Sequence, residues 1–158
     1  MLAILFLSIS ITLTTTRTQA DTFISPEYVE ICEKVGAEFG ICPELLESIM
    51  EHESSGNPRA VNGNCKGLMQ VYEKVHVQRM AKLGVTDLYD PESNVRVAAS
   101  ILVELFEQND DCGLVLMQYN GSSDAKRRAE NFDFTQYAQS VMDRAYELET
   151  IHGKHNSI

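Results

Sequence analysis

The sequence predicts an all-α protein, a compact single-domain bundle of about six helices. Three observations carry this. Apolar residues recur at i, i+3, i+4 and i+7 along most of the chain, and nothing alternates as a half-buried strand does. Proline stands just inside the predicted helix starts and glycine just past several ends. The length of 158 residues suits one domain, and 44% hydrophobic content is ordinary for a globular chain, with no repeat or linker.

The elements follow in order. Leu2 to Leu13 is an apolar run with the length of a secretion-signal core, too short to span a bilayer. Thr18-Gln19-Ala20 offers a small residue at the cut, although no Lys or Arg precedes the run. Residues 1–20 are therefore read as a cleaved signal peptide and 21–158 as the working domain; an uncleaved N-terminal anchor is the alternative. Ser25-Pro26 opens the first helix, which points Val29, Cys32, Val35 and Phe39 inward and stops at Gly40. Pro43 opens the second, which ends near Ser55-Gly56. Residues 56–66 are rich in Asn, Gly and Pro and read as an irregular loop. Tyr72 to Leu83 is a third helix, closed by Gly84. Asp90-Pro91 starts a fourth, with Val95, Ala98, Ala99, Leu102, Leu105 and Phe106 as its stripe. Gly113 to Asn120 is short, nearly all apolar and should be central. Residues 122–132 form a polar loop holding Lys126-Arg127-Arg128, which reads as a solvated run. Thr135 to Thr150 is a last helix with Tyr137, Val141, Met142, Ala145 and Tyr146 inward.

The second helix contains the most informative residue. At ~100° per residue, Leu45, Leu46, Ile49 and Met50 form one stripe, and Glu53 falls in its middle. Glu44, Glu47 and Glu51 fall on the opposite face, which this phasing assigns to solvent. A carboxyl among aliphatics is disfavoured as an anion, so it holds its proton to higher pH. That suits a proton donor in glycosidic cleavage.

The formal net charge of -10 argues against sequence-independent nucleic-acid binding and against docking to anionic lipid. Cys32, Cys42, Cys65 and Cys112 are an even set in a chain read as exported, so disulfides are expected. Three connectivities exist, and Cys32–Cys42 with Cys65–Cys112 is the favoured one. There is no C-x-x-C pair and no suitably spaced His, so no metal site or cofactor is expected.

Glu53-Ser54 is followed by Gly56-Asn57-Pro58, Gly67-Leu68-Met69-Gln70, Asp90-Pro91 with Asn94, Tyr119-Asn120-Gly121 and Tyr137-Ala138. This order and spacing resembles the soluble lytic transglycosylase (SLT) domain family, goose-lysozyme-like, from about Cys42 to about Tyr146. Met117-Gln118 and the loop Asn62 to Lys66 depart from the pattern. The resemblance implies a goose-type lysozyme-like fold that cuts peptidoglycan glycan strands with Glu53 as acid and base. It implies that Tyr119 lies beside the Glu53 carboxyl and orients it. Ser54 would bond near that carboxyl or cap the loop. Met69 and Gln70 would floor the sugar cleft, and Asn120 and Tyr137 would line it. His52 has no nucleophile or metal partner in the pattern and reads as structural. No second acid stands at a motif position, whereas hydrolysing glycosidases generally use two carboxylates. A nucleophile within the substrate removes that need and leaves a 1,6-anhydromuramyl end. A goose-type muramidase that uses water, or a non-catalytic wall-binding or assembly module, are the alternatives. The expected partner is the glycan strand, with a secretion or conjugation apparatus as a further candidate, and the expected state is an exported monomer.

Overall fold

A computed structural model describes residues 23–153. Helices α1 (Pro26–Phe39), α2 (Pro43–Ser54), α3 (Glu73–Leu83), α4 (Pro91–Gln108), α5 (Cys112–Tyr119), α6 (Ala125–Ala129) and α7 (Gln136–Ile151) follow the chain. Their ends obey the local chemistry. Asp90, Asp111 and Thr135 accept from the backbone N–H of Ser93, Leu114 and Ala138, closing α4, α5 and α7. Each such cap contributes about 1 kcal/mol. Left-handed glycines at 40 and 84 end α1 and α3.

α2 runs through the centre, packed by α1 on one side and α7 on another. Its Leu46, Ile49 and Met50 are fully buried with Leu102 of α4, Leu116 and Met117 of α5, and Leu148 of α7. The apolar α5 is central as predicted, between α4 and α7. None of the described helices is long and apolar enough to cross a membrane. The predicted signal peptide lies outside the described residues.

Five expectations need correction. First, the chain has strands: β1 (Val61–Asn62), β2 (Cys65–Lys66) and β3 (Val71–Tyr72) form a small antiparallel sheet in the order β1-β2-β3. Two-residue strands are too short to show alternation. Second, Lys126 to Arg128 lie on α6 rather than in a loop. Arg127 pairs with Asp124 and Arg128 with Asp133, at 3.1 Å. Third, Tyr146 is exposed. Fourth, Glu44 and Glu47 are fully buried, because α2 is enclosed along its first half and a single-face phasing does not apply there. Nδ1 of His152 lies 2.7 Å from Glu44 Oε1.

Fifth, the four cysteines are free thiols. Cys32 is sealed in the core on the inner face of α1, and burial with the nearby charge of Glu47 pushes its thiol up. The Cys42 thiol is turned away from it, toward Glu44 and Glu149, 3.3 Å from an oxygen of each. Burial first raises its pKa, to about 12. A reducing agent should therefore leave the melting temperature of the folded domain unchanged, because no cross-link restrains the unfolded chain. Alkylation after denaturation should label all four cysteines; a cross-linked peptide in the digest would refute this.

Candidate active site

Glu53 occupies the last turn of α2. The helix stops immediately afterwards because Ser55 turns left-handed at φ 51° and Gly56 follows at φ 73°. This holds Glu53 at the mouth of the bundle, half-buried, where it is partly desolvated yet still reachable. Burial raises its pKa, opposed by a hydrogen bond from Tyr137 and by His52. The net effect is a raised pKa, the direction that the helical phase predicted.

The tyrosine that bonds this carboxyl is not the expected one. Tyr137, in the first turn of α7, donates its hydroxyl to Glu53 Oε1 at 2.6 Å. Tyr119, at the end of α5, donates instead to the backbone carbonyl of Met69 at 2.8 Å. Both tyrosines have their pKa raised, by burial first and then by the charge of Glu53, so both keep their protons. Tyr119 thus lies within electrostatic range of Glu53 but anchors a loop. The sequence holds both tyrosines in motifs; only the three-dimensional path shows which reaches the Glu53 carboxyl.

That loop is the Gly67-to-Gln70 segment. Gly67 sits at φ 77°, and a Cβ there would lie 2.3 Å from both Asn94 Nδ2 and Leu88 O, so no other residue fits. Asn94 on α4 is fully buried and ties the segment and its flank to the loop before α4. Its Oδ1 accepts from Met69 N–H at 2.8 Å, and its Nδ2 donates to Lys66 O and Leu88 O, both at 2.9 Å. The sequence pattern includes Asn94, but nothing in it signals this role.

The remaining candidates divide. The side chain of Met69 is fully buried, so it serves the core rather than a sugar face. Gln70 is half-buried at φ 47° and donates its amide to the carbonyls of Ala60 and Gly67, at 3.2 and 2.9 Å. Its observed amide bonds hold the loop, not an open cleft. Ser54 bonds back to Met50 O at 3.3 Å within α2, and Ser55 takes the cap position. Asn120 is exposed and caps α5. His52 places Nδ1 2.8 Å from Ser48 O and meets the Tyr137 ring edge-on. Cys65 on β2 is close enough for the charge of Glu53 to raise its pKa further, after burial. The structure therefore brings Tyr137 to Glu53 with His52 against the Tyr137 ring, and leaves Tyr119 and Cys65 within range of the Glu53 charge. Away from it, oxygen and nitrogen atoms of Glu44, Glu47 and His152 converge within 4.8 Å, the spacing a cation's ligands adopt.

One feature escaped sequence reasoning entirely. Glu51 was assigned to solvent, yet it pairs with Arg144 of α7 at 2.7 Å, and the two side chains are only 7% and 16% exposed. The available signal was Arg144 itself, seven residues after Tyr137 on the inward stripe of α7.

Residues 30–141 match the transglycosylase SLT domain. The chain belongs to that family. This SLT-domain chain is 32% identical over 98 residues to a transglycosylase of Enterobacteria phage PRD1, an alignment covering 61% of the chain and 36% of the phage protein. It therefore spans about a third of that relative's length. It is 31% identical over 146 residues to the endo-type membrane-bound lytic murein transglycosylase A of Salmonella paratyphi B, covering 74% of the chain and 71% of that protein. The same figures hold for the Salmonella gallinarum protein. The match to the SLT domain takes in α2, the Gly67 segment, α5 and the start of α7, the elements that surround Glu53.

Proposed function

We propose that this chain is an exported lytic transglycosylase that cleaves the β-1,4 bond between N-acetylmuramic acid and N-acetylglucosamine in peptidoglycan, with Glu53 as the sole acid and base. The observation that carries the reading is the half-buried Glu53 carboxyl, held above its ordinary pKa by burial and oriented by the Tyr137 hydroxyl 2.6 Å away. Family membership supports the substrate class, since the Salmonella relatives are named for murein.

Protonated Glu53 gives its proton to the glycosidic oxygen as the bond to the muramyl anomeric carbon breaks, releasing the glucosamine 4-hydroxyl. The 6-hydroxyl of the same muramyl residue closes on that carbon. Its proton passes to the Glu53 carboxylate, which restores the acid, and no water is consumed. Tyr137 donates to the carboxylate in the interval and keeps it aimed. Among the described residues the side chains that shift Glu53 are Tyr137 and His52, neither of them a carboxylate. That favours a nucleophile within the substrate over a second acid that activates water.

Incubation of the mature protein with purified peptidoglycan should release fragments ending in anhydromuramic acid, about 18 Da lighter than reducing ends, since an internal hydroxyl replaces water. Mass spectrometry that found only reducing ends would move the assignment to a goose-type muramidase. Binding without release would move it to a wall-binding module.

A further inference from the structure

We infer that Glu51 and Arg144 are positioning residues, whose ion pair sets the rotation and register of α7 on α2 that bring the Tyr137 hydroxyl to Glu53. This rests on the reading of Glu53 as the acid. Three links join the two helices. Tyr137 meets Glu53, the Ser48 hydroxyl donates to Val141 O at 2.8 Å, and Arg144 grips Glu51. Tyr137, Val141 and Arg144 stand at i, i+4 and i+7, one stripe of α7. On α2, Glu51 and Glu53 are two residues apart, so they leave the helix on nearly opposite sides.

The Glu53 bond and the Ser48–Val141 bond hold α2 to α7 at two points and leave the Glu51 side of α2 without a link to α7. The Glu51–Arg144 pair adds a third link, on that side, and refines the rotation of α2 against α7. Seven residues also place Arg144 ~10 Å along α7 from Tyr137, so the pair fixes sliding as well as rotation. The grip is built for this. Arg144 Nε and one terminal nitrogen reach the two Glu51 oxygens at 2.7 and 3.2 Å, a fork on a carboxylate. The guanidinium also bonds Glu147 at 3.1 Å and lies over the Phe23 ring at 5.1 Å. Glu51 accepts the Phe23 backbone N–H at 3.0 Å.

Among the described residues, His52 on its own helix and Tyr137 from α7 act on Glu53, and Tyr119 from α5 and Cys65 from β2 lie within range of its charge. Of these, Tyr137 is the one that the pair controls. Its bond favours the Glu53 anion and opposes burial. When the pair is lost, that bond lengthens and burial acts with less opposition. Glu53 then keeps its proton to higher pH, and the alkaline limb of activity moves up.

The test compares Glu51→Gln and Arg144→Lys in the parent and in a Tyr137→Phe background, using purified peptidoglycan as substrate. In the parent background Glu51→Gln should lower kcat about tenfold, less than the ~10²-fold that a misplacement of about 1 Å can cost. KM should stay within about twofold. The alkaline limb should move up, as in Tyr137→Phe, and Arg144→Lys, which keeps charge without the fork, should give a smaller shift in the same direction. In the Tyr137→Phe background neither substitution should move the limb further. A Glu51→Gln protein that only melts earlier, with limb and kcat of its folded fraction at parent values, would overturn the inference. So would equal shifts in both backgrounds. Should Glu51→Gln not fold, Arg144→Lys answers the same question. Carbon-13 titration of the Glu53 carboxyl reads the coupling without turnover. An inactive parent would therefore sink the proposed function while the titration still decides this point.

Discussion

Glu53→Gln is expected to fold normally and release no soluble muropeptide. The loss should be at least the ~10²–10⁴-fold typical of general acid–base catalysis, since an amide can neither give the proton nor take one back. Stability should hold or rise at neutral pH. Burial raises the Glu53 pKa above its ordinary value. A carboxyl shifted this way opposes folding as an anion, fully above the folded-state pKa and not at all below the unfolded one. The amide escapes that cost, so its advantage should shrink as pH falls through this window. The control is Glu107→Gln, exposed on α4, which should match the parent. Glu51→Gln, which helical phase alone offers as the control, is unsuitable because Glu51 is paired with Arg144. Turnover surviving in Glu53→Gln would reassign the acid.

Asn94→Asp should unfold the domain at markedly lower denaturant. The two side chains have the same shape, so packing is not the issue. The amide nitrogen donates to Lys66 O and Leu88 O. An ionised carboxylate leaves both carbonyls without a donor and points charge at them. Each unsatisfied buried group costs about 1–3 kcal/mol, so the total should reach roughly 3 kcal/mol or more. Protonation restores one donor. The deficit should therefore be greatest near neutrality and lessen as pH falls below the folded-state value of the new acid. Urea unfolding at about pH 7 and about pH 4 reads both effects. Parent stability at neutral pH would show that the Gly67 segment does not depend on this amide.

Much of the fold was legible because its signals are local. Asp90 and Thr135 were placed at helix starts, and both accept the backbone N–H expected of a cap. Gly40 and Gly84 ended the helices they were expected to end. What failed had no local signal or a misleading one. α6 is five residues long with three charges, and no apolar period fits in so short a run. Glu44 and Glu47 are charged and out of phase with the stripe, yet neighbours enclose α2 on more than one face. The cysteine pairing was inferred from parity, and parity does not orient a thiol; Cys42 turns toward two glutamates. At Glu53, helical phase alone anticipated a partly buried carboxyl with a raised pKa. The tyrosine that bonds Glu53 differs from the expected one because Tyr119 and Tyr137 are both near that carboxyl, and their partners depend on hydroxyl direction.

The β1–β2 hairpin carries a practical consequence. Its tip, Gly63-Asn64, is exposed, and nothing lies within 4 Å of where a Cβ on Gly63 would sit. Below the tip, the register is pinned by Asn62 opposite Cys65 and by Cys65 opposite Tyr72. Asn94 then holds the chain immediately beyond, at Lys66 O and Met69 N. A segment spliced between Gly63 and Asn64 would project into solvent from a base tied on both strands. Exposed tips of this kind accept insertions because the ordered backbone does not have to move. The hairpin is thus a natural place to graft an epitope or fluorophore peptide, giving a reporter that leaves the bundle core undisturbed.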